Sequence, residues 1–82
     1  MNKQLKTLKK FLENPQALSY IEIENLLVTI GFEKIEAKGS HKKFKHPRLN
    51  INLIIPVHGN DCKSFYKNYA KKTLLKILHH HE

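Results

Sequence analysis

Eighty-two residues make one small domain, with 15 Lys and Arg against 7 Asp and Glu and a formal charge of +8. Forty per cent of the residues are hydrophobic and 27% charged, which excludes a globally disordered chain. No apolar run approaches the ~20 residues of a membrane span, and the single cysteine, Cys62, excludes an internal disulfide and a cysteine-rich zinc site.

The first segment, KQLKTLKKFL (3–12), places Leu5, Leu8, Phe11 and Leu12 at helical spacing with lysines opposite. This is an N-terminal helix over 3–13, stopped by Asn14-Pro15. Its stretch lacks an uninterrupted apolar core and a small-residue cleavage site, so no signal peptide is expected and the domain is expected in the cytoplasm. Ser19 and Glu22 form a capping-box pair opening a helix over 20–30, with Ile23, Leu26, Leu27 and Ile30 on its apolar stripe. Gly31 follows where a left-handed C-terminal cap is needed.

Beyond Gly31 the period changes from helical to alternating. Residues 32–38 read as a short strand with Ile35 and Ala37 on one face, and Gly39-Ser40 as a turn. Residues 41–46 (HKKFKH) read as a polar strand, 47–50 as a second turn, and 51–57 as a half-buried strand with Ile51, Leu53, Ile55 and Val57 inward. Pro56 marks an edge strand or a strand end. His58 to Asp61 is a turn. A last amphipathic helix starts near Ser64, its expected N-cap, with Tyr66, Tyr69, Ala70, Thr73, Leu74 and Ile77 as its stripe. The sum is an α+β two-layer sandwich: a three-stranded antiparallel sheet, helices on one face, and the other face left to solvent or a partner. Residues 1–82 form a single domain, with 79–82 a polar tail.

Charge is uneven. Residues 1–30 hold four lysines against three glutamates, a balance of +1, whereas 31–82 carry +7 and all six histidines. Such a field attracts polyanions; its plain alternative is a solvated face. The densest polar cluster is Gly39-Ser40-His41-Lys42-Lys43-Phe44-Lys45-His46-Pro47-Arg48. Alternation puts His41, Lys43 and Lys45 on one face and Lys42, Phe44 and His46 on the other. Because Phe44 belongs in the core, His41 looks outward. There it can exchange a proton at an RNA phosphodiester while lysines offset phosphate charge, or it can be an exposed histidine without a task.

Other features read more plainly. His46 and His58 lack carboxylate or cysteine partners at ligand spacing, so no metal is expected. His58 suits a turn residue bonding its own loop, and Cys62 an inert thiol. Phe65, Tyr66 and Tyr69 read as helix-to-sheet core and not as base-stacking platforms. Lys67, Lys71, Lys72 and Lys76 read as a solvated face, some of them adding to a phosphate-tracking surface.

From about Asn14 onward the sequence resembles the HicA family of toxins. The resemblance is carried by Gly31-Phe32, by Gly39-Ser40-His41 with Phe44, His46 and Pro47, by Ile55-Pro56-Val57-His58-Gly59, and by Lys63-Ser64-Phe65-Tyr66. It implies a double-stranded-RNA-binding-domain-like fold with the 3–13 helix added. It implies a type II toxin ribonuclease that cleaves mRNA without metal or other cofactor and is neutralised by a HicB-like antitoxin. In that reading His41 is the catalytic acid or base, and Gly39 and Ser40 shape the turn presenting it. Lys38, Ser40, Lys42, Lys43, Lys45 and Arg48 hold RNA. Relatives often carry a second histidine or an apolar residue where this chain has Lys42 and Lys43. The alternatives are a non-catalytic RNA-binding module of the same fold and a pure protein-interaction domain.

Overall fold

The computed structural model describes residues 3–36 and 39–80. In chain order it has α1 (Lys3–Glu13), a 3-10 turn (Pro15–Ala17), α2 (Tyr20–Thr29), β1 (Glu33–Glu36), β2 (His41–His46), β3 (Ile51–Pro56) and α3 (Ser64–His80). The strand expected over 32–38 is thus shorter at its start, and Ala37 and Lys38 lie outside the described residues, as do His81 and Glu82 of the expected tail. Among the described residues no helix is long and apolar enough to cross a membrane.

Local chemistry explains the helix ends. At the start of α2 the Ser19 hydroxyl accepts the Glu22 N–H while the Glu22 carboxylate accepts the Ser19 N–H, the reciprocal capping box. The Ser19 N–H holds the Glu22 carboxyl below its ordinary range. At the far end the Gly31 N–H reaches the Val28 carbonyl at 3.1 Å and the Phe32 N–H reaches Leu27 at 3.0 Å, a Schellman closure. Gly31 adopts φ +111°, and a Cβ there would stand 3.1 Å from His46 Nε2. This closure turns Phe32 into the core, where it is 3% exposed.

The sheet has order β1-β2-β3 and is antiparallel throughout. One face is apolar: Phe44, Leu53 and Ile55 are fully buried against Ile23 and Leu27 of α2 and Ala70, Leu74 and Ile77 of α3. Phe11 of α1 is also fully buried in this cluster, so the N-terminal helix is part of the core. Among the described residues no helix covers the opposite face. It presents Ile35, Lys43 and Ile54 as one cross-strand row, with Lys45 beside Asn52 and His41 beside Pro56 in neighbouring rows. Pro56 ends β3, and β3 is an edge strand, so its missing N–H costs no ladder bond.

Helix α3 departs from its expected pattern in three respects. The Lys63 carbonyl accepts the N–H groups of Tyr66 and Lys67, so Ser64 is the first helical residue and not the cap. Lys67, expected on a solvated face, is 6% exposed: its ammonium donates to the Leu18 carbonyl at 2.8 Å and to Asp61 at 3.2 Å. Phe65 and Tyr69, expected in the core, are 69% and 42% exposed, because the helix turns its Tyr66–Ala70–Leu74 side inward instead.

Candidate nucleic-acid interface

His41 opens β2 and is exposed, on the face without helices. Two features fix its place. Gly39, at φ +73°, supplies the left-handed residue of the preceding turn, a conformation that a side chain disfavours. The Ser40 carbonyl then accepts the Val57 N–H at 2.7 Å, strapping that turn to the end of β3. The register pairs His41 with Pro56, and His58 follows two residues later. Ser40, His41, Pro56, His58, Lys63 and Tyr66 line one pocket of about 280 Å³. Two histidines and a lysine therefore contribute to the lining of a single small hollow.

The loop that brings His58 there is anchored at Asp61. His58 and Asp61 exchange backbone bonds across the turn, at 2.9 and 3.3 Å, as the sequence reading expected of His58. The Asp61 carboxylate accepts the Cys62 N–H at 2.9 Å and the Tyr20 N–H at 3.0 Å, and pairs with the Lys67 ammonium at 3.2 Å. The Cys62 N–H, then Lys67 and Tyr20, hold its carboxyl below the ordinary aspartate value against a smaller opposing effect of burial. One side chain thus ties the start of α2, the pocket loop and α3 together. Beside it, burial and then the Asp61 charge push the Cys62 thiol up, which keeps it a poor nucleophile.

The remaining residues of the basic cluster divide between faces and ends. Lys43 and Lys45 share the open face with His41; Lys45 is exposed, and Lys43 is half-buried between Ile35 and Ile54. Lys42 points to the helix side, where its charge acts on Glu24. Arg48 lies in the β2–β3 turn, lining a different hollow with Gly31 and His46. At ~3.3 Å per strand residue, that turn is about 17 Å or more from His41. Lys38 lies outside the described residues. His46 is 8% exposed and meets Phe32 edge-on at 5.2 Å between ring centres, so it serves packing and stands apart from His41 and His58.

Sequence reasoning undervalued three residues of this hollow: His58, Lys63 and Tyr66. All three stand in strings that carried the family resemblance, Ile-Pro-Val-His-Gly and Lys-Ser-Phe-Tyr. Their meeting with His41 depends on the β2–β3 register, which no local pattern specifies.

The described residues form a small basic α+β domain in which, after α1, helix, three antiparallel strands and helix follow in order. Over residues 21–81 the chain matches the family of the HicA toxin of bacterial toxin-antitoxin systems, and it belongs to that family. It is a toxin of a toxin–antitoxin pair, and membership implies a cognate antitoxin. No curated protein and no solved structure matches the chain. Helix α1 precedes the matched region.

Proposed function

We infer that this toxin is an endoribonuclease that cuts mRNA in the cytoplasm by metal-independent transesterification, and that a HicB-like protein antitoxin silences it. The observation that carries the reading is the hollow shared by His41, His58 and Lys63, open at the edge of the cationic sheet face. A ribose 2′-hydroxyl set beside His41 loses its proton to that imidazole as its oxygen attacks the adjacent phosphorus. The bond from phosphorus to the 5′-oxygen breaks, and that oxygen takes a proton from His58 in its imidazolium form. The products are a 2′,3′-cyclic phosphate and a 5′-hydroxyl. Lys63 offsets the charge that develops on the phosphate oxygens. Gly39 and Ser40 shape the turn, Lys43 and Lys45 hold the flanking phosphates, and Lys38, Lys42 and Arg48 add to the wider field. An acidic antitoxin surface silences the enzyme by covering the hollow, by neutralising the lysines, or by both.

His41→Ala removes the proton acceptor from an exposed position, so cleavage of labelled RNA and growth arrest should be lost while the melting temperature holds. An Ala variant cutting as fast as the parent would overturn the assignment. His58→Ala should slow turnover about 10²- to 10⁴-fold. Cleavage should proceed in EDTA and leave cyclic or 3′-phosphate ends; a strict magnesium requirement contradicts the route. RNA that the parent retains but never cuts would favour the binding module without chemistry.

A further inference from the structure

An aromatic group on α3 stands next to the hollow. Phe65 and Tyr69 lie one helical turn apart on α3, their rings nearly parallel (16°) with centres 6.4 Å apart. They are 69% and 42% exposed. The Tyr66 ring meets Phe65 edge-on at 5.0 Å and also lines the hollow with His41 and Lys63. Spacing by four and three residues carries the same outer side of the helix from Phe65 and Tyr69 to Lys72 and Lys76, both exposed. An exposed Phe has no hydrogen bond to make and no core to fill here, and leaving such a ring in water is unfavourable.

We propose that Phe65 and Tyr69 form a stacking subsite for an unpaired base of the RNA, one or two nucleotides from the cleaved phosphate, with Lys72 and Lys76 following the backbone beyond it. This rests on the ribonuclease reading and deepens it, by making single-stranded RNA the substrate class. The cationic surroundings favour a nucleic acid over an apolar protein partner as occupant. Single-strand binders combine these two elements: flat rings for the bases, which stack without regard to sequence, and cations for the phosphates. A paired base keeps its faces within the duplex and has none to offer.

The test uses the full chain and a mixed-sequence single-stranded RNA of ten nucleotides, with cleavage-deficient His41→Ala as the background for binding. Phe65→Ala and Tyr69→Ala should each weaken binding roughly tenfold, within the range for one lost stacking contact, at unchanged melting temperature. In the cleaving protein the same changes should raise KM, while Phe65→Trp retains affinity. An abasic nucleotide at one position should weaken the parent background and abolish its difference from Phe65→Ala; duplex RNA should show no such difference. If the parent cuts and binds RNA but both Ala variants match it, the subsite is wrong while the ribonuclease reading stands. If the variants lose only antitoxin binding, the patch is a protein-docking surface and the proposal fails. If the parent neither binds nor cuts RNA, both fall together.

Discussion

Asp61 shows how much of this molecule one carboxylate can hold. It accepts from two backbone N–H groups and pairs with an ammonium that is itself almost fully buried. Asp61→Ala leaves the Lys67 charge buried without its counter-ion and should cost roughly 1–3 kcal/mol in urea unfolding. Lys67→Met removes the charge along with its need for a partner and should cost less. The pH dependence has a definite sign. The carboxyls of Asp61 and Glu22 lie below their ordinary values in the folded state. Their stabilisation is therefore complete above the unfolded carboxyl pKa, about 4, and is lost as pH falls through the folded values. The melting temperature should drop as pH falls below about 4, with a shallower drop in Asp61→Asn.

Helix α1 lies outside the region that defines the family, yet its Phe11 reaches the centre of the core with no exposed surface. Its neighbours Leu8 and Leu12 pack partly against the same cluster, while Leu5, a turn earlier, is past the edge of the core and exposed. A domain of this size has only about 4–12 kcal/mol of stability to lose. Phe11→Ala should remove roughly 3–5 kcal/mol of it, leaving a folded population that urea or mild heating exhausts. A midpoint equal to the parent's would show that α1 is dispensable to the core. The closure of α2 at Gly31 likewise aims Phe32 inward and so sets where β1 begins.

Taken as a body, the molecule separates an apolar side of its sheet from a polar one. Helices and the apolar side of the sheet form the core; His41, Lys43 and Lys45 look the other way. Affinity for RNA should fall linearly in logarithmic salt, with each lost phosphate contact reducing the slope by about 0.7 for a single strand. Lys45→Ala, on the open face, should reduce it by that amount. Lys42→Ala, on the helix side near Glu24, should reduce it less. Equal effects of the two would mean that RNA does not follow the open face.

Much was legible in the sequence because much is local. The capping box at Ser19 and Glu22, the glycine ending α2, and the alternation of 41–46 and 51–57 each depend on residues a few positions apart. Alternation around Phe44 was enough to turn His41 outward. What local pattern did not contain was the meeting of distant segments. Lys67 reads as any solvated lysine until the chain returns Leu18 and Asp61 to it, and Phe65 and Tyr69 read as core until the rotation of α3 is known. Helix and strand order and the facing of His41 could be read from the chain alone, since backbone periodicity and capping are short-range. That His58, Lys63 and Tyr66 line the same hollow as His41 came from strand register and helix rotation, which packing across the whole core sets.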